Sequence, residues 1–295
     1  MSVMNTQTWI CDFVTACQKK TGKDPYFSQC DTVGSPLTKW FPDLSPAELH
    51  YHLLVHGLFE PYEWINMENT VHEMDKNNIW KMVNREYNRL KNKWKGPEIP
   101  IFIFPVRQAH LAADKRAVKK NGLAFKKAIF LFLAPDLAKE EIKAALAHEY
   151  NHVCRLTHLN VDDHQLSLKE ALIIEGLGEF AVKELYGEKW LAPWTGLYSF
   201  ADIADIWNHR FVPALHLAGK DSCDDFLYGR EDRQLPKWIG YHIGFQIVDT
   251  YETRLGPFPN NELYTKSSDE LIAGSIFAYE NRSETRENQE GHQFD

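Results

Sequence analysis

Ala144–Leu159, AALAHEYNHVCRLTHL, sets His148, Glu149 and His152 in the spacing His-Glu-x-x-His inside an unbroken helical pattern. On an α-helix, residues four apart differ by about 40° in azimuth and roughly 6 Å in height, so two imidazoles can aim at one point. The preceding residues constrain what lies next to that helix. Glu98–Val106 (EIPIFIFPV) and Lys127–Ala134 (KAIFLFLA) are short β-branched and aromatic runs closed by Pro105 and Pro135, the pattern of buried or half-buried strands. Leu111–Phe125 between them is Lys-rich, contains Gly122 and reads as a connection. Asp136 can cap a helix over Leu137–Thr157, so a sheet strand feeds directly into the helix with the two histidines.

Zinc (Zn2+) is the ion such a pair usually holds, and Glu149, about 100° from His148, can reach a water on the same metal. A catalytic zinc usually takes three protein ligands and leaves one position to water. Cys154 lies two residues past His152, about 200° away on the helix. His158 completes the His-His-His spacing of the metzincin signature, but that signature needs a Gly where this chain has Arg155. All five Met residues (Met1, Met4, Met67, Met74, Met82) precede the motif, so no downstream Met-turn exists. Glu170 and Glu175 lie on the next helical stretch, about 140° apart, so a face that presents one hides the other. Glu175 has Glu179 one turn on, and Gly176 and Gly178 remove bulk beside it. That suits a helix packed tightly on the metal helix, with Glu175 as ligand and Glu179 accepting the spare N–H of a zinc histidine.

The order of strands before the motif and helices after it predicts an α+β, zincin-like fold. A small mixed sheet, built from Glu98–Val106, Lys127–Ala134 and at least one further strand, packs on the motif helix, and a cleft separates it from a mainly helical C-terminal lobe. Residues 1–95 read as a mainly helical N-terminal region, 96–160 as sheet plus motif helix, 161–280 as the helical lobe with the third ligand, and 281–295 as a flexible polar tail. Ser45-Pro-Ala-Glu48 carries a capping box and opens a helix to about Leu58. Further helices are expected over Trp9–Lys20, Val71–Trp94, Ser167–Gly187 and Lys237–Leu255, with a polar break at Asn160–His164. His52 and His56 share one face of the 45–58 helix; with only Glu48 nearby they, like His50, read as core-edge or exposed histidines.

Lys plus Arg number 33 against 41 Asp plus Glu, a net charge of −8, which speaks against nucleic acid as a partner. The basic run Lys81–Lys95 fits the solvated face of an amphipathic helix. The N-terminal residues lack a basic segment followed by an apolar core, no run reaches about 18 apolar residues, and a cytoplasmic protein without a membrane partner is expected. Five cysteines without CxxC spacing are read as reduced thiols.

His148–Leu156 (HEYNHVCRL), Ile173–Gly187 (IIEGLGEFAVKELYG) and Pro236–Tyr251 (PKWIGYHIGFQIVDTY) together resemble a bacterial family of predicted zinc-dependent proteases of the YjaZ type, over about residues 98–255. The resemblance implies a gluzincin-like arrangement, with His148, His152 and Glu175 as zinc ligands and Glu149 as catalytic base. Gly178 stands where the family more often has Ala. The expected activity is peptide hydrolysis by a zinc-activated water, with Tyr241 (or His242) of the GYHIG segment as oxyanion donor. An extended peptide or protein substrate is expected along the edge of the 127–134 strand. The competing class is a non-catalytic zinc- or peptide-binding protein, which would normally close its metal site with a fourth protein ligand.

Overall fold

The runs IFIFP and AIFLFL alternate aromatic with aliphatic side chains, not apolar with polar, as a strand covered on both faces requires. In the computed structural model, which describes residues 2–19, 23–108, 119–161 and 165–279, they form β1 (Ile101–Pro105) and β3 (Ala128–Leu133), buried along their whole length. β1 and β3 pair in parallel with Phe102 opposite Phe130 and Phe104 opposite Phe132, so the phenylalanines share one face. Phe102 and Phe130 stack at 4.9 Å. Trp9 and Trp40 close on Phe102 at 5.8 and 5.0 Å, and Phe41 on Phe130 at 5.9 Å. The N-terminal helical region thus covers the aromatic face. The aliphatic face, which Ile103, Ile129 and Leu131 line, is left for the helix Lys139–Leu159.

The further strand lies inside the expected connection. β2 (Lys120–Phe125) runs antiparallel to β3 through the two-residue turn Lys126–Lys127, giving the order β1-β3-β2 and a mixed sheet. This corrects the expected substrate edge. The 127–134 strand is central, with both its edges used by β1 and β2, and cannot accept another chain. The outer edge of β1 carries bridges from Val3 and Leu58; among the described residues no strand pairs with the outer edge of β2.

This sheet belongs to a compact unit formed by Met1–Asp163 with Ala181–Leu191; His164–Phe180 with Ala192–Asp295 form a second. In the first, Ser45 caps the helix Pro46–Val55: its Oγ accepts from Glu48 N, and its N–H donates to the Glu48 carboxylate at 2.8 Å. The expected helix Val71–Trp94 is two, Trp64–Lys76 and Ile79–Trp94, because the chain turns at Asn77–Asn78 with Asn78 left-handed at φ 56°, a conformation Asn tolerates. Ile79, Val83, Glu86, Tyr87, Leu90 and Trp94 lie on the buried face of the second helix, which leaves Lys81 and Lys93 to solvent. His50 is fully buried, with Nε2 2.7 Å from Gln29 Oε1. Burial holds its imidazole down at about 4, so it is a neutral core residue. His52 and His56 stack at 6.1 Å, but His56 Nδ1 lies 2.7 Å from its own helix carbonyl, His52 O.

In the second unit, the helix Leu168–Tyr186, whose first thirteen residues fall here, crosses Ile239–Leu255 at a pair of glycines. A Cβ on Gly176 would stand 2.1 Å from Gly244 O, and one on Gly244 2.1 Å from Leu172 O. The expectation that Gly176 makes room for the metal helix is corrected: the backbone it admits is that of 239–255. Because the atoms met are main-chain carbonyls, the helices cannot accommodate a methyl group without separating. Gly244→Ala therefore destabilises the protein by about 1–3 kcal/mol, read as a lower urea midpoint; an unchanged midpoint would refute this crossing. The expected tail 281–295 lies outside the described residues. No helix among those described is long and apolar enough to cross a membrane, and the five cysteines are free thiols.

Candidate metal centre

The motif helix begins two residues later than Asp136 capping would place it. Ala138 is the N-cap residue, its N–H donating to Glu141 Oε2 at 3.2 Å, and Glu140 and Glu141 put negative charge at the helix's positive end. Asp136 instead pairs with Lys119. Along the helix Ala144, Ala147, Tyr150 and Cys154 are buried. Tyr150 donates to Pro97 O at 2.8 Å and stacks on Trp94 at 5.9 Å, which fixes the rotation of the helix about its axis. His148 and His152 then lie one turn apart with ring centroids 4.5 Å from each other at 77°.

The helix continues unbroken through Arg155, which is fully buried, to Leu159 and ends at the left-handed Asn160. His158 is therefore about 240° round from His152 and exposed. Cys154 packs into a niche that also requires Gly96, where a Cβ would meet its Sγ at 2.6 Å. Burial pushes its thiol up to about 12, as for a cysteine packed into the core.

Within residues 171–180, Glu175 alone is not buried. One ligand atom from each of His148, His152 and Glu175 lies within 4.8 Å of the others. Two imidazole nitrogens and one carboxylate oxygen are donors that zinc takes, in the number that leaves a position open. Among the described residues this is the one such group, and Glu170, Cys154 and His158 are not in it.

Glu149 is not in it either. Its half-buried carboxylate lies against β2, where a Cβ on Gly122 would meet Glu149 Oε1 at 2.2 Å and its Cδ at 2.3 Å. Glu179 is buried and accepts a hydrogen bond from Ala192 N–H through Oε1. Tyr241 sits among Trp194, Trp238 and Tyr228, with ring centroids 5.2, 5.2 and 5.3 Å away, and its hydroxyl is 3.1 Å from that of Tyr228. His242 is buried with Nδ1 3.2 Å from Trp194 O, and burial lowers its pKa. Gly240, like Gly244, serves packing, since a Cβ there would stand 2.6 Å from Leu227 Cα. Gly122 is the residue at the site that the sequence did not single out.

Residues 79–272 match the family described as "Predicted Zn-dependent protease (DUF2268)". The chain is 34% identical over 203 residues to "Uncharacterized protein YjaZ" of Bacillus subtilis (strain 168), covering 68% of this chain and 76% of that one. It is also 25% identical over 121 residues to "Uncharacterized protein YjfC" of the same organism, covering 37% and 39%. No solved structure matches.

Proposed function

The chain belongs to this family of predicted Zn-dependent proteases, and we propose that it is a zinc metallopeptidase with a zincin-like site. The observation that carries the reading is the convergence of one ligand atom each from His148, His152 and Glu175, with a second carboxylate, Glu149, next in sequence to a ligand but outside the set. These three residues would hold the ion, which when bound acidifies a water and polarises the scissile carbonyl. Glu149 takes the proton of the attacking water and passes it to the leaving amine. Glu179, with one oxygen on Ala192 N–H, is the carboxylate proposed to orient a ligand imidazole.

Of the two candidate oxyanion donors, Tyr241 is the better. His242 is buried, with main-chain groups of Trp194 and Thr195 as the hydrogen-bond partners of its ring, so its N–H is already used by the protein's own backbone. The Tyr241 hydroxyl donates to that of Tyr228 at 3.1 Å, and because this partner is itself a hydroxyl that can exchange roles, the Tyr241 proton can turn to the carbonyl oxygen as that oxygen becomes anionic.

The substrate strand is assigned to the outer edge of β2. Ala134 N–H donates to Lys119 O at 2.8 Å, so 119 and 134 form a hydrogen-bonded antiparallel pair. Alternation then turns the main-chain groups of Lys120, Gly122 and Ala124 away from β3. Gly122 N–H, 3.0 Å from its neighbour's Asn121 Oδ1, fits that orientation. An extended peptide can pair with these groups, which gives main-chain binding with little sequence selectivity.

Metal analysis of the purified protein is expected to find about one zinc per chain, and casein or peptide-library hydrolysis to stop on chelation and return with added zinc. Zinc that stabilises the fold while the protein cleaves none of these substrates would make it a non-catalytic zinc protein.

A further inference from the structure

Gly122 lies inside a strand, where glycine is unfavourable unless something requires it. The backbone does not: Gly122 is absent from the positive-φ glycines, which are Gly57, Gly187, Gly219 and Gly229. Its register position opposite Leu131 is regular, so there is no bulge to explain it. What requires glycine is space. The three heavy atoms nearest a Cβ built at this position all belong to Glu149, Oε1, Cδ and Cγ at 2.2, 2.3 and 2.4 Å. The side-chain position of residue 122 is occupied by the carboxylate arm of Glu149, from the helix Lys139–Leu159.

We propose that Gly122 is a positioning residue, whose missing side chain seats the Glu149 carboxylate against β2. The inference rests on the reading of Glu149 as the general base. The strand backbone walls one side of the carboxylate, and the same residue turns its own main-chain groups toward the edge proposed for substrate. Acid and substrate strand are thereby referenced to one α-carbon. Because the atoms in conflict are the end of a flexible side chain, a methyl group at 122 moves the carboxylate before it moves the sheet.

The test is Gly122→Ala in the full-length, zinc-loaded protein. Zinc affinity and KM are expected within about twofold of wild type, and kcat to fall about 10²-fold, the cost of misplacing a catalytic group by an ångström or so. In the Glu149→Gln background the same substitution is expected to have no further effect on kcat. A crystal structure of Gly122→Ala is expected to show Glu149 turned away with β2 in place. Unchanged kcat, an equal loss in both backgrounds, or a shifted strand with Glu149 unmoved would each overturn the proposal. If Gly122→Ala does not fold, adding Glu149→Ala removes the conflicting atoms and is expected to restore folding; failure to restore it also overturns the proposal. A wild type that hydrolyses nothing removes the peptidase reading, whereas the position of Glu149 in the variant crystal still decides whether Gly122 seats it.

Discussion

Glu149→Gln keeps its fold and its zinc, and hydrolyses peptides about 10²–10⁴-fold more slowly than wild type. Glutamine has the volume and hydrogen-bonding reach of glutamate, so it fits the space over Gly122 that the carboxylate now occupies. It cannot take a proton. Glu149 contributes no atom to the group formed by His148, His152 and Glu175, so metal content is expected to hold. The loss therefore falls on kcat with KM nearly unchanged, as for a group needed only in the transition state. The measurement pairs zinc stoichiometry with steady-state cleavage of casein or a fluorogenic peptide library. A variant that cleaves as fast as wild type sinks the general-base assignment, and one that loses zinc shows that Glu149 belongs to the ligand set.

What could be read from sequence was whatever local chemistry decides. The β-branched and aromatic runs within 98–106 and 127–134 marked two buried or half-buried strands, which are buried along their whole length, and Ser45 with Glu48 marked a helix start that the side chains cap as expected. The third strand was hidden because it is an edge. Lys120-Asn121-Gly122 carries turn chemistry, and Asn-Gly ordinarily reports a turn; here the glycine answers to Glu149, some 27 positions along the chain, and not to backbone conformation. A local signal did exist: Leu123 and Phe125 keep period two and stop at a two-residue Lys-Lys turn before β3. Gly176, beside Glu175, misled in the opposite sense. A glycine in a helix announces a close neighbour, but sequence does not say which one, and for Gly176 the neighbour is Gly244. Helix phase, by contrast, separated Cys154 and His158 from the histidine pair, because a continuous helix fixes azimuth from residue count alone.

Glu175→Ala is expected to weaken zinc binding at least about tenfold, while Glu170→Ala and His158→Ala stay within about twofold of wild type. The ranking follows from geometry. Glu175 places a carboxylate oxygen within 4.8 Å of ligand nitrogens on both His148 and His152, and its loss leaves two imidazoles, an incomplete set for zinc. Glu170 precedes it by five residues on the same helix, about 140° away, and cannot replace it without rotating a helix locked by the Gly176–Gly244 crossing. Competition against a chromophoric chelator reads all three variants on one scale, and wild-type circular dichroism of each separates ligand loss from unfolding. A reversed order, with His158→Ala the weakest binder, would require His158 to swing onto the face of His152. That movement needs the helix to break near Arg155, which lies fully buried in the middle of a continuous run from Lys139 to Leu159, and it would expose that side chain to do so.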